Sequence, residues 1–239
     1  MKNNYFKAII GLSGVLFSLQ SLAQSPNAVP KNKYGLLIIK NITDYQKLIT
    51  SDTNQQLVPV KKWVSPTLTD WKYATPDNFT HTVLYQTPEA YVLLPVAKAL
   101  AQVQAELKSK GLSLKFFDAY RPYHVTEKMW EIVPDDRYAA NPANGSGHNR
   151  GIAVDITLVN LKTGQELKMP TPFDDFTEKA HHNYMQLDSV TLANRTLLKT
   201  TMEKYGFTAL STEWWHYFYK TATSYALLDL DFKTLKKMK

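Results

Sequence analysis

The stretch Ser-Gly-His-Asn-Arg-Gly-Ile-Ala-Val-Asp-Ile-Thr-Leu-Val, residues 146–159, decides how this chain folds. It begins with His148 in a glycine-flanked loop and continues over 152–159 as a mostly apolar, β-branched run that is typical of a buried strand. Asp155 interrupts that run. A buried ionised carboxylate is unfavourable unless it is paired or binds a metal. The stretch therefore predicts a buried strand whose carboxylate is either paired or bound to a metal.

Apolar periodicity around this stretch predicts one domain that mixes helices and strands. A helix is expected to start between Pro88 and Pro95 and to end at Gly111, and the turn at 162–164 predicts a hairpin. The fold class is α+β, a single domain with helices packed on a mainly antiparallel sheet. The other predicted elements are strands at 36–39, 112–117, 152–159 and 214–219, helices at 45–49 (capped by Thr43 or Asp44), 126–133 and 194–205, an extended segment at 56–74, and loops at 134–147 and 170–190.

The first 23 residues are typical of an export signal. Lys2 and Lys7 precede an apolar run at 8–17, and small residues at Ser21 and Ala23 suit cleavage after Ala23. The alternative is a membrane anchor, but the run is shorter than the roughly 20 residues that a spanning helix needs. We therefore expect a periplasmic or secreted protein with no membrane span. Its predicted parts are a signal peptide at 1–23, a flexible leader at 24–33 and a single domain at 34–239.

The composition excludes several classes of site. The 239 residues include no cysteine, which rules out disulfide scaffolds, cysteine-ligated metals and thiol nucleophiles. Any metal must therefore be held by histidine and carboxylate. The formal net charge is +7, but Lys2 and Lys7 belong to the predicted signal, so the exported chain would carry +5. This excess suits a protein working near an anionic cell wall better than one that binds nucleic acid.

Two further segments place ionisable groups among residues that are otherwise expected to be buried. One is Glu-Trp-Trp-His at 213–216, and the other is Asp-Ala-Tyr-Arg-Pro at 118–122. In the first, Glu213 and His216 lie three residues apart amid aromatic side chains. In the second, Arg121 follows a predicted strand. Both segments are candidates for the same site as residues 146–159.

These residue types suit a catalytic zinc ion, which uses three protein ligands and leaves a position for water. His148, Asp155 and His216 supply two nitrogens and one oxygen. Glu213 would take a proton from the attacking water, and Arg121 would stabilise the developing oxyanion. A purely structural role for these residues remains an alternative. A histidine in an aromatic strand is more often a core residue than a ligand, and Asp155 would equally suit an arginine partner or a turn.

Five segments resemble motifs of the D-alanyl-D-alanine dipeptidases, the family of zinc peptidases that includes the vancomycin-resistance dipeptidase. The resemblance runs in order from about residue 71 to residue 219. The matching segments are Tyr73-Ala74-Thr75-x-Asp77-Asn78-Phe79-Thr80, Asp118-Ala119-Tyr120-Arg121-Pro122, Ser146-x-His148-x-x-Gly151-x-Ala153-x-Asp155, Phe173-Asp174 with His181-His182, and Glu213-Trp214-Trp215-His216-Tyr217.

The resemblance implies a role for each matched residue. His148, Asp155 and His216 correspond to the ligands of one zinc ion per chain, Glu213 to the catalytic base and Arg121 to the residue that stabilises the transition state. The residues that correspond to substrate-binding positions are Ser146 and Asp174, near the substrate's free amine, and the tyrosines Tyr73 and Tyr85.

The expected function is zinc-dependent hydrolysis of D-Ala-D-Ala in cell-wall peptide metabolism, with this small D,D-dipeptide as the partner. Two alternatives remain. A D,D-carboxypeptidase would share the Ser-x-His-x(6)-Asp and Glu-x-x-His elements, and a zinc-stabilised wall-binding module would share the ligands. Pure binding needs neither Glu213 nor Arg121, which argues against the module. The sequence leaves the oligomeric state open.

Overall fold

The structure is a computed structural model that describes residues 29–238. Its strands are β1 Ile38–Ile39, β2 Leu57–Pro59, β3 Leu68–Thr69, β4 Tyr91–Leu93, β5 Leu112–Asp118, β6 Ala153–Asn160, β7 Phe207–Ala209, β8 His216–Tyr219 and β9 Leu227–Leu228. Its helices are α1 Ile42–Ser51, α2 Leu94–Ser109, α3 Tyr123–Ile132, α4 Ser189–Lys204 and α5 Phe232–Lys237. The predicted mixture of helices and sheet is confirmed.

A five-stranded sheet forms the centre of the domain, with the strand order β3-β5-β6-β8-β7. The pairs β5–β6, β6–β8 and β7–β8 are antiparallel, and β3 pairs with β5 in parallel. The sheet is therefore mainly antiparallel, as predicted. The buried run predicted at 152–159 becomes β6, the middle strand.

The register of this sheet brings the three sequence segments together. Asp155 on β6 lies opposite His216 on β8 and opposite Asp118 on β5. Residues that face each other across an antiparallel pair project from the same side of the sheet. A bulge between Phe116 and Asp118 shifts the β5 register just before this point. One face of the sheet therefore collects the polar groups.

The helix α2 packs against β5 of the sheet. Pro95 lies in its first turn, where a missing N–H costs little, and the chain leaves it through Gly111, whose φ is +74°. Its buried stripe includes Leu100 and Leu107. Burial of each such leucine contributes about 1.5–3 kcal/mol to folding. The predicted limits of this helix are confirmed.

Besides α3, which starts at Tyr123 instead of residue 126, two helices begin earlier than the apolar pattern predicts. The cap of α1 is Asn41, whose side chain accepts a hydrogen bond from the Asp44 N–H, so the prediction of Thr43 or Asp44 is wrong. The start of α4 at Ser189 lies inside the predicted 170–190 loop, because Asp188 caps it through the Thr191 N–H. In both cases a polar cap sets the start of the helix before its apolar periodicity begins.

Other departures lie at the ends of elements. The turn at 162–164 returns the chain through a single bridge, Val159 to Glu166, instead of a full hairpin. The strand predicted at 214–219 begins at His216. Part of the predicted leader is folded onto the domain, since the Asn32 side chain donates to the Tyr123 hydroxyl over 3.0 Å. The predicted signal peptide lies outside the described residues. Within residues 29–238, no helix combines the length and the apolar character needed to cross a membrane.

Candidate active site

Three potential metal ligands converge on the polar face of the sheet. One ligand atom each from His148, Asp155 and His216 lies within 4.8 Å of the other two. The Asp155 carboxylate is 2.9 Å from His216 Nδ1 and 3.4 Å from His148 Nε2, and the two ring nitrogens are 3.3 Å apart. Two nitrogens and a carboxylate form a donor set that zinc prefers. The residues present therefore fit the metal that the sequence predicted.

A hydrogen bond from its second ring nitrogen to the backbone sets the orientation of the His148 ring. Its Nδ1 lies 2.7 Å from the Ala119 carbonyl oxygen, which can only accept, so Nδ1 carries the proton. This hydrogen bond leaves the Nε2 lone pair facing Asp155 and His216, as second-sphere partners do at metal sites. The turn that carries His148 needs Gly151, whose φ is +67° and where a Cβ atom would lie 2.6 Å from Leu57.

The charge of Asp155 is maintained by its neighbours. Burial acts to raise the pKa of Asp155 and is the largest single influence. His148 and His216 outweigh it together and hold the pKa below the usual value of an aspartate. An anionic carboxylate is the form that ligates a cation, and a metal that binds beside it displaces any proton from the ligating imidazole nitrogens.

Arg121 is held by an acid whose role the sequence did not reveal. Its Nε donates to Asp118 Oδ2 over 2.8 Å, and its Nη2 lies 2.7 Å from the same oxygen. The other carboxylate oxygen of Asp118 accepts from the Tyr85 hydroxyl over 2.8 Å and from the Ala119 N–H over 2.9 Å. The guanidinium also lies over the Tyr73 ring, 5.0 Å from its centre. Arg121 is thus fixed as a buried cation 4.0 Å from Asp155.

Glu213 lies in the turn that leads into β8. Its backbone carbonyl accepts from the His216 N–H over 3.3 Å, which fixes the base candidate relative to the metal cluster. Burial raises the pKa of Glu213 to about 7, close to the range in which a general base is most effective. The following Trp214 and Trp215 are buried, and the Trp214 indole donates to Thr171 over 2.9 Å. These tryptophans anchor the turn.

Asp174 faces the site with an unused oxygen. Its Oδ1 accepts from the Tyr73 hydroxyl over 3.1 Å, whereas its Oδ2 is buried without a hydrogen-bond partner. Burial, followed by the charge on Asp155, raises the pKa of Asp174 well above its usual value. An acid in this state gains from a cationic ligand, because a positive charge nearby compensates the buried carboxylate.

These groups surround one cavity of about 270 Å³. That volume lies at the small end of the range for ligand sites, which suits a ligand of about dipeptide size. The predicted residues that line it are Tyr73, Arg121, Ser146, His148, Asp155, Asp174, Glu213 and His216. The structure does not bring Tyr85 to this cavity, because its hydroxyl lies behind the wall on Asp118. Ser146 also accepts from the His148 N–H through its hydroxyl over 3.2 Å.

The outer rim comes from residues 136–138, to which the sequence assigned no role. Asp136, Arg137 and Tyr138 belong to the predicted 134–147 loop and line the cavity. The Tyr138 ring packs edge-on against Phe176 with centres 5.0 Å apart. The proline and glycine content of this loop predicted its irregular backbone, but nothing in the sequence of residues 136–138 indicated that they turn toward the site.

Comparison with known proteins gives one consistent result. A family model described as D-Ala-D-Ala dipeptidase, of the peptidase M15 group, matches residues 53–234. The D-alanyl-D-alanine dipeptidase of Escherichia coli K12 is 36% identical over 157 residues, which cover 66% of this chain and 81% of that protein. The enzyme of the same name from Enterococcus faecalis is 33% identical, covering 62% and 83%. That from Streptomyces coelicolor is 32% identical, covering 66% and 88%.

Proposed function

Because the chain belongs to the D-Ala-D-Ala dipeptidase family of M15 peptidases, we propose that it hydrolyses the free dipeptide D-Ala-D-Ala in cell-wall peptide metabolism. One observation carries this proposal. The convergent cluster of His148, Asp155 and His216 faces the same small cavity as the acid Glu213 and the buried cation Arg121. Peptide hydrolysis needs this combination of a metal site, a base and a positive charge for the oxyanion.

His148, Asp155 and His216 would hold one zinc ion per chain. Zinc bound there supplies a Lewis acid for the peptide carbonyl and lowers the pKa of water. The second-sphere bond from His148 Nδ1 to the Ala119 carbonyl supports this assignment, since it leaves Nε2 free as a ligand.

The remaining steps belong to the side chains of the cavity. The Glu213 carboxylate removes a proton from the attacking water and later delivers it to the leaving amine nitrogen. The Arg121 guanidinium stabilises negative charge on the carbonyl oxygen, and Asp118 keeps that guanidinium in place. The unpartnered Oδ2 of Asp174 receives the ammonium group of the substrate. Proton transfer, oxyanion stabilisation and ammonium binding are thus assigned to three different side chains.

The carboxypeptidase alternative is less well supported. A stem peptide has no free amine beside the scissile bond, so it would leave the buried Asp174 carboxylate without a cationic partner. The relatives from Escherichia coli, Enterococcus faecalis and Streptomyces coelicolor are D-alanyl-D-alanine dipeptidases. A binding module is disfavoured because both Glu213 and Arg121 line the cavity, and binding alone requires neither.

The direct test is release of D-alanine from D-Ala-D-Ala by the purified chain. We expect turnover that a strong chelator abolishes and that added zinc restores, because the proposed reaction needs the zinc ion as its Lewis acid. Free and N-acetylated dipeptide are compared in the same assay, with preference for the free form expected. Turnover that survives chelation would contradict the metal assignment, and preference for the acetylated form would favour the carboxypeptidase.

Export from the cytoplasm stays a prediction based on residues 1–23. In its favour, a protein outside the cytoplasm would meet D-Ala-D-Ala released from the wall and would fit a recycling role. We expect cells expressing the full chain to yield a mature form that begins at Gln24. Mass spectrometry of the isolated N-terminus checks this, and a cytoplasmic form that keeps residues 1–23 would refute it.

A further inference from the structure

We propose that Phe173 and Asp174 form a wall that restricts the substrate to a free dipeptide, and that truncation of the Asp174 side chain opens the active site to peptides extended on the amino side. This inference rests on the proposed function and specifies what sets its substrate length.

A second cavity lies on the other side of Asp174. It has a volume of about 510 Å³, compared with about 270 Å³ for the active-site cavity. Among the described residues, Asp174 alone lines both. The second cavity has a mostly polar lining that includes Asp70, Lys72, Asp77, Asn78, His81 and Glu166. A polar peptide extension would therefore find hydrogen-bonding groups beyond this residue.

The base of the wall is rigid. The Phe173 ring stacks on Phe117 with centres 4.7 Å apart. It also packs edge-on against Trp215 at 5.5 Å and against Tyr73 at 5.8 Å. Three aromatic neighbours hold its backbone in place, so the wall does not depend on the Asp174 side chain for its position. Shortening residue 174 should therefore leave a gap instead of a collapsed loop.

The backbone conformation of Asp174 determines which residues can replace it without disturbing the fold. Its φ is +61°, in the left-handed region that glycine and asparagine adopt more readily than other residues. Asparagine and glycine should both be accepted there without loss of fold, whereas alanine would be strained. Asparagine keeps the volume of the side chain and removes its charge. Glycine removes both.

The position of the amine links this wall to substrate length. If the substrate ammonium sits at the unpartnered Asp174 Oδ2, any group attached to that nitrogen points toward Asp174. In the native chain the Asp174 side chain blocks such a group. An acylated nitrogen also carries no positive charge, so it cannot compensate the buried carboxylate. With glycine at 174, the same group would pass into the second cavity.

The test compares the wild-type chain with Asp174→Asn and Asp174→Gly, using free D-Ala-D-Ala and N-acetyl-D-Ala-D-Ala as substrates. Both variants should lose activity on the free dipeptide, because both lack the carboxylate. Only Asp174→Gly should gain activity on the acetylated dipeptide, with kcat/KM at least about tenfold above both the wild type and Asp174→Asn. Zinc content and thermal unfolding verify that each variant is intact.

Equal activity of the two variants on the acetylated dipeptide would overturn the wall, as would a wild-type chain that cleaves both substrates equally well. Failure of the proposed function gives a different result, namely a zinc-loaded wild type that cleaves neither substrate. In that case, calorimetric measurement of N-acetyl-D-Ala-D-Ala binding to the wild type and both variants tests whether residue 174 forms a wall. Binding to Asp174→Gly alone supports it, and equal binding to all three chains, or to none, overturns it.

Discussion

Glu213→Gln should retain zinc yet lose activity on D-Ala-D-Ala by about 10²–10⁴-fold, the usual contribution of a positioned general base. The amide has nearly the same size as the carboxylate but cannot accept a proton. Glu213 is not one of the three clustered ligands, and its turn is anchored by the backbone bond to His216 and by the buried Trp214. The substitution therefore removes the proton acceptor while leaving the architecture in place.

The measurement pairs kcat for D-Ala-D-Ala with zinc content by atomic absorption. Glu131→Gln is the matched control, since Glu131 is an exposed acid on α3 and should leave both quantities unchanged. A Glu213→Gln variant that turns over near the wild-type rate would show that another group accepts the proton. Loss of zinc together with activity would instead place Glu213 among the ligands.

The metal cluster shows how far a sequence can predict a site. The spacing of His148 and Asp155 placed one on a glycine-flanked turn and the other within a buried strand, and both positions are confirmed. Nothing in the spacing could place His216 beside them, because it lies 61 residues beyond Asp155. That proximity depends on the β6–β8 register, a long-range property of the sheet. The family resemblance supplied what local pattern could not.

Asp118 illustrates a different limit. Its position at the end of a buried strand, three residues before Arg121, was visible in the sequence. A carboxylate there has many possible partners, and only the bulge in β5 and the fold of the following turn aim it at the guanidinium. Its hydrogen bond from Tyr85 also explains why a tyrosine that resembles a site residue lies outside the cavity. Its contact is with the acid that holds Arg121.

The aspartate at 174 is a further feature that no local pattern reveals. Sequence resemblance assigned it to the substrate's amine, but its positive φ and its place between two cavities are properties of the folded chain. Under the proposed wall, chemistry at the cluster and selection of substrate length would be carried by separate elements, the central sheet and the 172–176 segment.

His216→Ala should lose zinc and, with it, measurable hydrolysis. Two of the three donor atoms would remain, His148 Nε2 and the Asp155 carboxylate. Removing a second-sphere partner alone costs metal sites roughly 10–100-fold in affinity, and removing a direct ligand should exceed that. The buried Asp155 would also lose its 2.9 Å contact with His216 Nδ1. We therefore expect zinc content to fall from about one ion per chain to near zero.

The matched control is His124→Ala. His124 is an exposed histidine that pairs with Asp229 on another part of the surface, 57% of its side chain being accessible. The His124→Ala variant should keep full zinc content and activity. A difference between the two variants then reports the loss of a zinc ligand and not the loss of a histidine in general. Dialysis against limiting zinc followed by metal analysis gives the readout, and circular dichroism verifies that His216→Ala remains folded. Full zinc occupancy in folded His216→Ala would remove His216 from the ligand set, because a metal held that tightly without it must have another third donor.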